Sequence, residues 1–381
     1  MTTLIHSVRL VDDGVATDDA WVLLAARRVA ARGTGEDRPD AEAVVDGRAL
    51  AGDGAVLTAG FIDIHGHGGG GSSYDDGPDA VRRARALHRA HGTTRAVVSL
   101  VTAPLETLER RAAMVADLTT TDADILGSHL EGPFLDPGHK GAHDASLLRS
   151  PDADAVARLL RAGRGTVRQV TLAPELPGGL DAVRAVVAAG AAAAVGHTSA
   201  DLARTREAFD AGATILTHAF NAMPGLHHRH PGPVGAAASD PRVTLEIIAD
   251  GVHLAPEVVR IAFVAAPGRI ALVTDAMAAA GAGDGHYDLG PLGVDVADGV
   301  ARLAGGGAIA GSTLTQDAAL RLAVSAGVPL ADAVDALSRV PARAIGRGHD
   351  LGSLAPGRLG DAVLLTADLR VRGVWVDGVL V

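Results

Sequence analysis

The sequence contains no cysteine, so disulfides and thiolate-held metals are excluded. Any metal must be held by His, Asp or Glu. There is a single lysine, Lys140, among abundant arginines. Aromatic residues make up only 2% of the 381, against 48% hydrophobic, so the core must be built from Ala, Val, Leu and Ile. A net charge of -11 leaves no basic stripe for nucleic acid. No apolar run is long enough to span a bilayer, and "MTTLIHSVRLVDDG" lacks a basic stretch followed by an apolar one. These absences predict a cytoplasmic protein without a membrane or nucleic-acid partner.

What is present is alternation. Both ends read as short strands broken by Asp-Gly and Gly turns, residues 1–57 and 350–381, and they predict one small β-sandwich domain assembled from the two termini. Between them, 58–349, apolar strand-like runs fall at 56–64, 94–101, 124–131, 167–174, 192–197, 214–218, 243–250 and 269–275. Seven amphipathic helical patterns follow most of these runs, and most close on Gly. Eight such repeats predict an α/β fold, a (β/α)8 TIM barrel. A doubly wound open sheet is the rival. Residues 281–311, rich in Gly and Asp, read as a β-hairpin insertion between the eighth strand and its helix.

In a barrel, catalytic groups project from the C-terminal ends of the strands. Those ends carry His65 and His67, Glu131, Glu175, His197, His218, His253 and Asp275. A lone histidine is more often a hydrogen-bonded structural residue than a ligand. His65-x-His67 has a better claim, because alternate residues of an extended strand share a face. Taken together, so many strand ends bearing imidazole or carboxylate point to a divalent metal, which lowers the pKa of a bound water to about 7. Asp275, placed directly after "RIALVT", is the candidate to move that water's proton. His6, His88 and His91 read as structural, and "HHRH" at 227–230 reads as a solvated loop.

The series "GFIDIHGHG", "HLEGPFL", "KGAH", "LAPE", "GHTSA", "THAFNAMPG", "IADGVH", "VTDAM" and "AGS" resembles the N-acetylglucosamine-6-phosphate deacetylases of the amidohydrolase superfamily, over nearly the whole chain. The resemblance implies that Glu131, His197 and His218 hold a principal metal and that Asp275 is the general base and acid. It implies a second metal at His65 and His67. Zinc is the first expectation for one or two ions, with Fe, Mn or Co as alternatives. Ala142, His143, Asn221, Ala222, Arg229, His253, Ile309, Ala310 and Gly311 match positions around a sugar-phosphate substrate, with His143 near the acetamido group and ring hydroxyls and helping to polarise the carbonyl. The resemblance also implies a homodimer in which Arg229 reaches the neighbour's phosphate. One alternative is an amidohydrolase acting on a cyclic amide, of the dihydroorotase or hydantoinase type. Many of those bridge two metals with a carboxylated lysine, whereas Lys140 lies in the loop "DPGHKGAH". A scaffold that had lost its chemistry should also have lost ligands, and here every expected position is filled.

Overall fold

The computed structural model describes residues 2–381. Its centre is a sheet of eight parallel strands in sequence order: Phe61–Asp63, Thr93–Val101, Ile125–Glu131, Val167–Leu172, Ala192–Val195, Ile215–Leu216, Thr244–Ile248 and Ile270–Val273. Helices pack around it, and the apolar filling is mostly Ala, Val, Leu and Ile, as the scarcity of aromatics requires. The chain is thus a (β/α)8 TIM barrel with a β-sandwich domain built from its ends. Helix starts follow local chemistry. Asp152 accepts the Ala155 N–H ahead of Ala153–Ala162, and Asp201 accepts the Arg204 N–H ahead of Leu202–Asp210.

Among the described residues, no backbone ladder joins the first barrel strand to the eighth. Side chains close that seam. Gln316 donates to the carbonyls of Ile62 (2.9 Å) and Leu272 (3.3 Å), and Thr93 donates to Gln316 Oε1. Near the catalytic end, the Asp275 N–H donates to the His65 carbonyl at 2.8 Å.

The apolar run 56–64 is not one strand. Val56–Ala59 pairs with Thr2–Asp12 and Ala362–Leu365 in the terminal sheet, and only Phe61–Asp63 enters the barrel. The change of sheet falls at Gly60, where a Cβ would sit 2.2 Å from Thr94 Oγ1 and 2.9 Å from Asp361 Cβ. Buried Arg95 clamps the two parts together, bonding Asp361 through two nitrogens and Asp377 at 2.7 Å. The expected hairpin at 281–311 is a three-stranded antiparallel sheet, Gly285–Leu289, Leu292–Ala297 and Val300–Leu303. Its Leu289, Val294 and Val296 pack with Val101, Ala142 and Met277, so the insertion walls the barrel mouth.

Among the helices that escaped the sequence reading are Gly232–Ser239, Leu330–Leu337 and Arg339–Ala344, and Gly47–Ala51, within a stretch read as strand, is another. The first, "GPVGAAAS", has no charged face to reveal a period, so the stretch after the sixth strand reads as one long loop. Its Pro lies in the first turn, where the missing N–H costs nothing.

Candidate metal centre and active site

Six side chains meet at the C-terminal mouth of the barrel. His65, His67, Glu131, His197 and His218 are each at most 4% exposed, and Asp275 is 9% exposed. Glu131 is central. Its Oε1 lies 3.3 Å from His65 Nε2, 3.1 Å from His197 Nε2 and 3.2 Å from His218 Nε2. Its Oε2 lies 3.0 Å from His67 Nε2. Asp275 Oδ1 faces the same pair, at 3.2 Å from His67 and 3.5 Å from His65.

The imidazoles also face one another. His197 Nε2 and His218 Nε2 are 2.9 Å apart, and His65 Nε2 and His67 Nε2 are 3.3 Å apart. Neutral imidazoles meeting lone pair to lone pair repel, unless a cation lies among them. Tetrahedral bonds of about 2.0–2.1 Å imply ligand-to-ligand edges of about 3.3 Å, which is the separation found here. His65, His67, Glu131 and Asp275 form one group of donors within 4.8 Å of one another, and Glu131, His143 and His197 form another. The donor set fits divalent metal, with Glu131 shared between two positions.

Outer contacts fix the ligands. His65 Nδ1 bonds Glu246 Oε2 at 3.0 Å, and Glu246 Oε1 accepts from Gln169 at 2.7 Å. His197 Nδ1 bonds the His139 carbonyl at 2.9 Å. Such partners aim the ring and hold its tautomer. Three site residues adopt positive φ: His197 (47°), His218 (27°) and Asp275 (48°). Each costs about 1–3 kcal/mol and persists only where surrounding bonds over-determine it.

The electrostatics follow from two buried carboxylates. Burial raises the Asp275 carboxyl, but the His65 charge and the His67 hydrogen bond outweigh it and hold it well below the usual range. Burial likewise opposes ionisation of Glu131, yet His65 and the surrounding imidazoles hold it low. In return, burial lowers His67, but its bonds to Asp275 and Glu131 carry it up to about 9. His65 also rises well above its ordinary value against its desolvation. The cluster demands positive charge, which protons or a metal can provide.

A cavity of about 370 Å³ opens over this centre. Ala142, His143, Asn221, Ala222, His253, Ile309 and Gly311 line it. Ala310 is fully buried in the cluster behind the wall, and Arg229 lies on the exposed stretch 225–230, outside the lining. Gly138, His139, Val101, Ile248, Leu289 and Ala308 also line it and were not anticipated. Glu246 was missed too, although a lone charge inside "TLEII" is a visible signal. Glu175 bonds Thr198 and Ser199 instead of the centre. Lys140 stays in its loop, with Nζ against the Gly141 and His143 carbonyls, and it is Glu131 that belongs to both donor groups. His88 is buried and bonds the Gly68 carbonyl, a structural role.

The amidohydrolase family model matches residues 56–381. Among curated relatives, N-acetylgalactosamine-6-phosphate deacetylase of Escherichia coli O157:H7 is 42% identical over 334 residues, spanning 86% of this chain and 88% of that one. N-acetylglucosamine-6-phosphate deacetylase of Bos taurus is 38% identical over 342 residues, spanning 86% and 84%. Among solved structures, a mutant N-acetyl-D-glucosamine-6-phosphate deacetylase from Mycobacterium smegmatis, in complex with N-acetyl-D-glucosamine-6-phosphate, superposes with a TM-score of 0.94 at 44% identity, covering 100% of this chain and 99% of that one. The chain belongs to the amidohydrolase family and, within it, to the N-acetylglucosamine-6-phosphate deacetylases.

Proposed function

We propose that the protein hydrolyses the acetamide of N-acetylglucosamine 6-phosphate, giving glucosamine 6-phosphate and acetate. The observation that carries this reading is Asp275 set against a convergent group of imidazoles and Glu131 at the floor of a sugar-sized cavity. Glu131, His197 and His218 would hold one ion, and His65 and His67 a second, with Glu131 between them. Zinc suits this donor set best, and Fe, Mn and Co share the same ligand chemistry. When bound, the metal supplies Lewis-acid activation of the acetyl carbonyl and of water. Asp275 takes the water's proton as oxygen attacks the acetyl carbon, and returns it to nitrogen as the C–N bond breaks. Ala142, Leu289 and Ile309 give the cavity an apolar wall.

His143 is held in one tautomer. The Thr102 hydroxyl donates its proton to the Glu131 carbonyl at 3.1 Å, so His143 Nδ1 must donate to Thr102 at 2.8 Å. Burial, then the His197 charge, push this imidazole down to about 3, so it stays neutral with a lone pair at Nε2. That atom suits an amide N–H or ring hydroxyl of the sugar better than its carbonyl oxygen.

The phosphate needs a cation, and no Arg or Lys lines the cavity among the described residues. Asn221, Ala222 and His253 provide polar contacts there, and the missing guanidinium is the partner's Arg229 in a homodimer. A phosphorylated substrate also supports a cytoplasmic location. Among the described residues, no helix is long and apolar enough to cross a membrane.

A second reading, deacetylation of N-acetylgalactosamine 6-phosphate, is favoured by the name of the Escherichia coli relative. Acetate release from the two 6-phosphates and from unphosphorylated N-acetylglucosamine tests all of this. Each charge-assisted hydrogen bond to phosphate is worth roughly 1.5–3 kcal/mol, so the free sugar should lose orders of magnitude in kcat/KM. Equal efficiency with and without phosphate would overturn the substrate assignment. A higher kcat/KM for the galacto epimer would replace the first reading by the second.

A further inference from the structure

We infer that Asp63 and Thr274 form a positioning pair that sets Asp275 against the His65–His67 ligand pair. The inference rests on Asp275 carrying the proton, as proposed above. It starts from the seam, where the first and eighth strands share no backbone ladder. At the catalytic end the Asp63 carboxylate stands in for that ladder. Its Oδ1 accepts the N–H of His65 at 3.2 Å and the N–H of Thr274 at 3.4 Å. Its Oδ2 accepts the Thr274 hydroxyl at 2.6 Å. One side chain therefore binds the residue before Asp275 and the first metal-ligand candidate together.

The rest of the clamp is built on Thr274. Its hydroxyl accepts the Ala276 N–H at 3.1 Å, and its carbonyl accepts the Ser312 hydroxyl at 2.6 Å. Asp275 is then gripped by its own backbone: its N–H donates to the His65 carbonyl at 2.8 Å, and its carbonyl accepts the Ser312 N–H at 2.7 Å. These bonds surround a residue held at φ 48°, a conformation that needs such support. Asp63 is 4% exposed and Thr274 fully buried, so water cannot replace a lost partner. Neither side chain lines the cavity. Both act on the reaction only through the placement of Asp275 and His65.

The test uses the metal-loaded full chain with Thr274→Val, Thr274→Ser and Asp63→Asn, reading kcat, KM, metal content and melting temperature. Valine keeps the shape and removes the hydroxyl. A misplacement of 1 Å costs about a hundredfold, so a slip of a few tenths should lower kcat about tenfold or more, with KM within about threefold. The ion at His65 and His67 should be lost to chelator more readily than in the wild type. Thr274→Ser restores the hydroxyl and should restore both readouts. Asp63→Asn keeps one acceptor oxygen where two are used, and should resemble Thr274→Val. It serves if the valine variant does not fold.

A purely structural role would lower the melting temperature and leave kcat of the folded protein alone. The inference is overturned if folded Thr274→Val or Asp63→Asn keeps wild-type kcat and metal retention, or if serine fails to restore them. Asp275→Asn, measured in parallel, separates the two levels. If it is inactive while the seam variants are normal, only the positioning pair is wrong. If it retains wild-type kcat, the acid-base reading itself fails.

Discussion

Stripping the metal should make the protein's stability depend on pH between about 6.5 and 9. His67 carries this effect. Burial disfavours its charge, but its bonds to Asp275 and Glu131 raise its pKa from 6.5 to about 9. A folded pKa raised above the unfolded value stabilises the fold fully below pH 6.5, and that contribution disappears as pH climbs through 9. The gap of about 2.5 pH units, at about 1.36 kcal/mol each, is worth about 3 kcal/mol. His65 shifts in the same direction, but it leans on the same two carboxylates, so its share is not added again. An unfolding entropy of about 2.1 cal/mol/K per residue, over a chain of this length, converts 3 kcal/mol into a melting shift of about 4 °C. A bound cation takes the place of the protons and removes the dependence. Scanning calorimetry of chelated and reloaded protein across this range reads the difference directly, because other titrating groups cancel. The gap between the two melting temperatures should widen by about 4 °C from pH 6.5 to pH 9. A constant gap would refute the idea that His67 and its carboxylates form a charge-balanced pair awaiting metal.

Asp275→Asn should lose about a hundred- to ten-thousand-fold in kcat with little change in substrate binding, because an amide cannot accept and return the proton. Stopped acetate assays and equilibrium binding check the two halves separately. In His65→Asn/His67→Asn, elemental analysis should fall from about two metal equivalents to about one, with activity reduced and not abolished, since Glu131, His197 and His218 remain. Purified mixed dimers of Arg229→Ala and Asp275→Asn should recover one working site, because the subunit that keeps Asp275 can use the partner's Arg229. No recovery would place Arg229 in its own subunit's site.

The barrel was legible because its strands are short apolar runs and most of its helices end on Gly. The register of the strand ends followed, and with it the placing of Glu131, His197, His218 and Asp275. What the sequence concealed has physical causes. The run 56–64 is buried throughout, and its polar residues, Thr58 and Asp63, fall one on each side of Gly60, so its hydropathy carries no mark of the boundary there. The helix Gly232–Ser239 has small residues on every side and hence no period. The third strand of the insertion, Val300–Leu303, is four residues long and was absorbed into what read as a two-stranded hairpin. Thr102, Gln169 and Thr274 act through hydrogen bonds to residues distant in sequence, and no local pattern announces such partners.

The stretch "IDIHGHGGGG" shows how far local reading reaches. Alternation explains why His65 and His67 share a face, and it leaves the residue between them free. The structure does not leave it free. A Cβ on Gly66 would lie 3.1 Å from Thr274 Oγ1 and 3.3 Å from Asp63 Oδ2, closer than a side chain ordinarily comes. The Asp63–Thr274 contact across the seam therefore leaves a side chain little room at this position. The next glycines answer a different need. The backbone N–H groups of His67, Gly70 and Gly71 donate to the Ala276, Ala280 and Ala278 carbonyls, so the small hairpin of Gly68–Gly69 and Ser72–Ser73 zips along the segment that follows Asp275. Gly70 and Gly71 make its turn at φ 59° and 75°, where other residues are strained. Histidine pair, spacer and turn thus all take their shape from contact with 274–280, which is why His65 and His67 on one strand are tied to Asp275 on another.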